Sequence, residues 1–106
     1  MPEKVGLFII FWAAPDKARA LMEEVQSMAE VVNRERGTLV YAFHKVSSER
    51  GEGVAVYELY ENADAQRIHG ESDAINALRG RLPELLGAPP ERYQLIPVTG
   101  AKGLPF

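Results

Sequence analysis

One stretch limits the fold of this chain more than any other: Gly53 to His69, GVAVYELYENADAQRIH. In an extended chain, successive side chains point to opposite faces. Val54, Val56, Glu58 and Tyr60 therefore form one row, and Ala55, Tyr57 and Leu59 the other. Neither row is polar enough to be a plain solvent face, so the strand belongs in a sheet covered on both sides. Asn62 then offers a side-chain cap, and Ala65, Ile68 and His69 recur at helical spacing. A carboxylate (Glu58), a phenol (Tyr60) and an imidazole (His69) meet at one strand-to-helix junction.

Val5 to Trp12 poses the same problem. Val5, Leu7, Ile9 and Phe11 alternate with Phe8, Ile10 and Trp12, so this strand too is apolar on both faces. With 106 residues the chain is one domain, 1–106, with a core over about 5–99 and a C-terminal tail 100–106. A domain of this size struggles to cover both faces of a sheet alone, which points to a homodimer.

The remaining segments fall into order around these strands. Pro15-Asp16 is expected to open a long helix with the apolar stripe Ala18, Leu21, Met22, Val25, Ala29 and Val32, stopped by Gly37. Met22 and Met28 read as core filler rather than ligand lining. Thr38 to Val46 is a second strand, joined through a Ser47–Gly53 loop to the third. Ser72-Asp73 caps another helix, with Ile75, Leu78, Leu82 and Leu86 on its apolar face, and Pro83 ends or kinks it. Glu91 to Thr99 forms a last strand, placed at an edge or ended by Pro97, which cannot donate to a ladder. The order is βαββαβ: an α+β, ferredoxin-like fold with a four-stranded antiparallel sheet and helices on one face. The other face, with Ala55, Tyr57 and Leu59, is then left for a second copy.

Several function classes are excluded at this level. The net charge of −3 and the lack of a basic stripe argue against nucleic acid. There is no cysteine, hence no disulfide, thiol nucleophile or thiolate metal site. Val5 to Ala14 is too short to span a bilayer, so no membrane association is expected and the default location is cytoplasmic. His44 and His69 lie in no ligand motif, no glycine-rich phosphate loop follows a strand, and no serine sits in a nucleophile elbow. No cofactor and no metal are expected.

Four polar groups remain as site candidates. Glu58 interrupts an apolar row, where desolvation would raise its pKa; it could equally be a structural carboxylate paired with Arg67 or Arg79. His69 is either a satisfied core histidine or a pocket group. Tyr60 packs with its ring and reaches with its hydroxyl, and Arg79 is either a pocket cation or a solvated surface charge.

These features resemble the antibiotic biosynthesis monooxygenase family of the dimeric α/β-barrel superfamily. The resemblance covers roughly residues 5 to 99. It rests on Pro15, on Gly37 with Tyr41 after it, and on VAVYELYENADAQRIH, where Glu58, Tyr60, Ala65 and His69 stand where the family has Glu, an aromatic, Ala and His. The ending, ALRGRLPELLGAPPERYQLIPVTGAKGLP, is most similar to the aromatic-polyketide branch. That branch oxidises phenols to quinones with dioxygen and without flavin, metal or haem. Tyr60 stands where it has Trp, and Arg79 matches its pocket arginine. His69 and Val56 stand in place of two amides, and Gln66 in place of a tyrosine at the start of the short helix. The haem-degrading branch fits worse, because its opening-strand Asn is absent and its Trp and His are replaced by His69 and Arg79.

The resemblance implies a cofactor-independent monooxygenase acting on a small phenolic, quinol-type or polycyclic aromatic substrate with dioxygen. His69, Glu58 and Arg79 would be its catalytic residues, and Tyr60, Trp12, Val56 and Gln66 its substrate-binding ones. The alternatives are an isomerase of a small metabolite and a non-catalytic small-ligand-binding dimer.

Overall fold

The computed structural model describes residues 3–98 and 102–103. The elements run β1 (Val5–Trp12), α1 (Ala18–Gln26), α2 (Ala29–Asn33), β2 (Thr38–Ser48), β3 (Gly51–Tyr60), α3 (Ala63–Gly70), α4 (Asp73–Arg81) and β4 (Glu91–Leu95). All strand pairs are antiparallel, in the order β2-β3-β1-β4. This is the expected ferredoxin-like α+β arrangement, with the long first helix broken into α1 and α2 and the two later helices separate as expected.

The two strands that are apolar on both faces take the two central places. Their register sets Leu7 opposite Glu58, Ile9 opposite Val56 and Phe11 opposite Val54, so these six share one face. That face carries the core, where Ile9, Phe11, Val54 and Val56 pack against Leu21, Val25, Met28 and Val32 of the first helical pair and Leu78 and Leu82 of the second. Each such side chain withdrawn from water contributes about 1.5–3 kcal/mol before the entropy of ordering it. Met28 is buried and Met22 packs beside it, the core role expected of both.

The opposite face carries Phe8, Ile10, Ala55, Tyr57 and Leu59, with Val40 and Ala42 of β2 and Tyr93 and Leu95 of β4 alongside. Ala55 and Leu59 are already buried within one chain, because flanking strands on both sides enclose the central row. Tyr93 and Leu95, on the edge strand, are exposed.

Local chemistry accounts for the element ends. Asn62 Oδ1 accepts from the Ala65 amide at 2.9 Å and caps α3; Ser72 Oγ accepts from Ile75 N at 3.2 Å and caps α4. α4 ends at Arg81, two residues before Pro83, and β4 ends at Leu95, two before Pro97 and on a sheet edge. The rest of the expected last strand, Ile96 to Val98, lies beyond the ladder, while Thr99 and most of the tail fall outside the described residues.

Three expectations change. The first helix begins at Ala18 rather than Pro15-Asp16, because Asp16 has φ 64°, a left-handed conformation incompatible with a helical start. The β2–β3 connection is the tight turn Glu49-Arg50, not a loop over Ser47–Gly53, and Gly51 takes the φ of 108° that lets the ladder close to Ser48. Gly37 is not the helix stop either: α2 has ended at Asn33. Gly37 instead meets α3, since a β-carbon there would fall on the Ala65 side chain, and its carbonyl accepts from Glu61 N at 2.8 Å.

That contact sets how closely α3 approaches β2. Gly37→Ala is expected to destabilise by about 1–3 kcal/mol through overpacking, read as a lower urea midpoint. Gly80 lies in α4 with open space around it, so Gly80→Ala should instead stabilise, by about 0.5–1 kcal/mol.

Candidate active site

A cavity of about 570 Å³ lies between the helix-side face of the sheet and the segment from α3 to Pro90. Its floor is Leu7, Ile9 and Phe11 of β1, and its far wall is Ile75, Leu78, Leu82 and Leu86. Apolar walls holding a few convergent polar groups are what a small-molecule site needs. Here those groups are Tyr41, Glu58, Tyr60, Gln66, Arg67, His69, Arg79 and Arg92.

The pleat puts Glu58 and Tyr60 on the same face, two residues apart, and the Tyr60 hydroxyl donates to Glu58 Oε1. Both are buried. Glu58 pairs with neither Arg67 nor Arg79: Arg67 is held by Asp64 at 2.6 Å and Glu71 at 2.8 Å on its own helix surface. Burial drives the Glu58 carboxyl above its ordinary value, opposed by the Tyr60 hydrogen bond and the charges of His69 and Arg92. Tyr60 is pushed up by burial and then by the Glu58 charge, and Tyr41 by burial, Glu58 and Glu35. Both phenols therefore stay protonated at neutral pH and serve as donors rather than bases.

His69 sits in the last turn of α3 and is buried. Its Nδ1 lies 2.9 and 3.2 Å from the two carboxylate oxygens of Glu35, in the turn between α2 and β2. Thr38 Oγ1 donates to the same Glu35 at 2.8 Å and fixes the carboxylate. With Nδ1–H donating to Glu35, the imidazole lone pair is on Nε2. No hydrogen bond engages Nε2 among the described residues, and none of their fully buried side-chain nitrogens or oxygens lacks a partner, so Nε2 opens to the cavity. The ring packs between Tyr41 and Tyr60, at centroid distances of 5.3 and 5.6 Å. A carboxylate-oriented imidazole facing an apolar cavity is equipped to move a proton.

Arg79 reaches the cavity from α4. Its Nη1 donates to the Gly70 carbonyl at 2.8 Å and to Asn76 Oδ1 at 3.1 Å, which ties it to the end of α3. Gln66 lines the cavity and forms a reciprocal amide pair with Gln94 of β4, at 2.8 and 3.1 Å, joining helix to sheet edge.

Two of the expected substrate-binding residues lie elsewhere. Trp12 shares the face of Phe8 and Ile10, away from the cavity. There its indole N–H donates to Glu91, and the Arg50 guanidinium sits 5.1 Å from the ring centroid while pairing with the same carboxylate. Val56 is on the cavity-side face, but the core encloses it before it can reach the lining. Glu58, Tyr60, Gln66, His69 and Arg79 are brought together around one space.

Three further residues belong to the arrangement: Tyr41, Arg92 and, behind His69, Glu35. Tyr41 and Arg92 enter as cross-strand partners of Glu58 and Ile9, a placement that depends on strand register rather than on any local signal. Glu35, inside the charged run Arg34-Glu35-Arg36, carries no local signal. Among the described residues no cluster of three His, Cys, Asp or Glu side chains could hold a metal ion, and no helix is long and apolar enough to cross a membrane.

Fold and cavity together define a ferredoxin-like α+β domain with a small-molecule-sized pocket under its helices. Residues 5–81 match the family described as antibiotic biosynthesis monooxygenase, and the chain belongs to that family. A search of curated proteins finds no match. Among solved structures, a protein from Caulobacter crescentus provisionally described as an antibiotic biosynthesis monooxygenase is 26% identical, with a TM-score of 0.84 over 92% of each chain. Rv0793 from Mycobacterium tuberculosis is 25% identical, with a TM-score of 0.83 over 93% of this chain and 99% of its own. PA3566 from Pseudomonas aeruginosa, at 21% identity and a TM-score of 0.81 over 93% and 98%, shares the fold.

The raised Glu58 carboxyl has a thermodynamic signature. A carboxyl whose folded value exceeds its unfolded one holds more protons in the folded state, so stability falls as pH rises from about 4.5 through the raised value. Glu58→Gln keeps an acceptor for Tyr60 and removes the titration. Its urea midpoint relative to the parent chain should therefore improve as pH rises from about 4.5 through the raised value, then level off.

Proposed function

We propose that this protein is a homodimeric, cofactor-independent monooxygenase that oxidises a phenolic or polycyclic aromatic substrate with dioxygen. The observation that carries the reading is the His69–Glu35 pair at the wall of an apolar cavity beside the Tyr60–Glu58 hydrogen bond. Leu7, Ile9, Leu78 and Leu82 line the cavity and offer apolar surface to a flat ring.

The chemistry follows from what each group can do. His69 Nε2 takes the phenolic proton, and Glu35 stabilises the imidazolium that results. Arg79, held by Gly70 and Asn76, faces the phenolate oxygen with its remaining N–H groups. The electron-rich phenolate passes one electron to dioxygen, and the radical pair combines at the ring carbon para to the oxygen. The new peroxide takes a proton from His69. Loss of the carbon-bound hydrogen as a proton then breaks the O–O bond, leaving a carbonyl and water. One phenol and one dioxygen become one quinone and one water, so no outside reductant is needed. Tyr60, kept protonated by its surroundings, and Glu58 orient the substrate.

His69→Ala should lower phenol-dependent oxygen uptake by about 10²–10⁴, the usual range for a lost acid–base group, with only a modest fall in melting temperature. Intact turnover with a depressed melting temperature would make His69 a core residue and sink the mechanism.

Dimerisation would use the sheet face without helices. Phe8, Ile10, Tyr57, Tyr93 and Leu95 lie there in adjacent registers, forming an apolar surface that self-pairing would bury. A stable interface buries about 1,200–2,000 Å² or more in total. Sedimentation should return twice the chain mass at micromolar concentration; a well-folded monomer would overturn this part.

A further inference from the structure

Charge is distributed unevenly around the cavity. The chain as a whole is acidic, yet the cavity is lined by three arginines and a single carboxylate. Arg67 is neutralised by Asp64 and Glu71, and Glu58 is occupied by Tyr60. Among the described residues, Arg79 hydrogen-bonds to a carbonyl and an amide oxygen and to no carboxylate. Arg92 makes neither an ion pair nor a side-chain hydrogen bond among the described residues. Arg92 is exposed at the sheet edge; the β1–β4 register sets it beside Ile9 on the cavity face, in the row of Val56, with β1 between it and β3 and Glu58 one step further along that strand's cavity row. Next to it on β4, Glu91 lies on the other face and is claimed by Trp12, Tyr93 and Arg50. Among the described residues, Glu91 is therefore not available to neutralise Arg92.

We infer that Arg92 is a specificity residue that receives a carboxylate on the substrate, so that the natural substrate is an aromatic acid rather than a neutral phenol. The inference rests on the reading of the cavity as an aromatic-binding site and adds the class of compound it selects. The hydrocarbon part of the ligand lies over Leu7 and Ile9, and its acid group points to the β4 edge. Guanidinium is suited to this, because its planar N–H pairs match a carboxylate in two parallel hydrogen bonds. The acid end is thereby separated from the reacting hydroxyl at His69, which sets the orientation in which the ring meets dioxygen.

The test uses two unreactive probes, 2-naphthoate and its methyl ester, titrated calorimetrically into the full chain at pH 7.5. The parent protein should bind the acid at least tenfold more tightly than the ester, and added salt should weaken only the acid. Arg92→Gln should lose about 10- to 100-fold in affinity for the acid and leave the ester within twofold. Arg34→Gln, an exposed arginine away from the cavity, should change neither. Equal binding of acid and ester by the parent chain overturns the inference while the aromatic cavity stands, as does an Arg92→Gln variant that keeps its preference for the acid. Binding of neither probe overturns the cavity reading and this inference together.

Discussion

The structure depends on β3 being paired on both edges while its two rows of side chains face different surroundings. β1 and β2 take its hydrogen-bonding edges. One row then runs from the core residues Val54 and Val56 straight into the cavity residues Glu58 and Tyr60. The strand's pleat does what a loop could not do with the same accuracy: it holds two polar side chains in fixed relation to a packed core. The short approach of Gly37 to Ala65 then lays α3 across the end of this strand, which brings His69 over the same face.

A buried polar cluster is stable only when its members satisfy one another, and this one divides into two closed units. Tyr60 supplies Glu58, while Thr38 and His69 supply Glu35. Each unit draws on parts of the chain that meet only in the folded state or at the pleat. Each also leaves one group facing inward: the unshared oxygen of Glu58 and Nε2 of His69. The sheet's other face follows a different rule. There Trp12, Arg50, Glu91 and Tyr93 form a partly buried network that ties the β2–β3 turn to β4, at the end of the sheet furthest from α3. The resemblance implied a substrate-binding role for Trp12, but its odd-even position assigns the indole to that network instead.

Much of the fold was legible in the order of residues. Alternation identified the two central strands, side-chain oxygens at Asn62 and Ser72 marked the helix starts, and Pro97 marked an edge. Those signals are local, and local geometry answers to them. The misread points involve local signals that a stronger constraint overrode. Asp16 adopts a left-handed conformation where a helical first turn was expected, and the polar run at Ser47–Gly53 extends the ladder because a two-residue turn with Gly51 suffices. Gly37 was read as a stop, although its lack of a side chain serves a contact with a helix that comes much later in the chain.

By itself, the sequence determined the sheet's two central strands, the helix caps, and the presence of Glu58, Tyr60 and His69 at one junction, since each follows from the spacing of near neighbours. Only the tertiary structure decided that His69 is oriented by Glu35, that Tyr41 and Arg92 join the cavity, and that Trp12 and Val56 stay outside it. Those outcomes depend on strand register, strand order and the angle of α3, all of which bring together residues distant in the chain. Such relations are set by the packing of whole faces against one another, and no short window of sequence contains them.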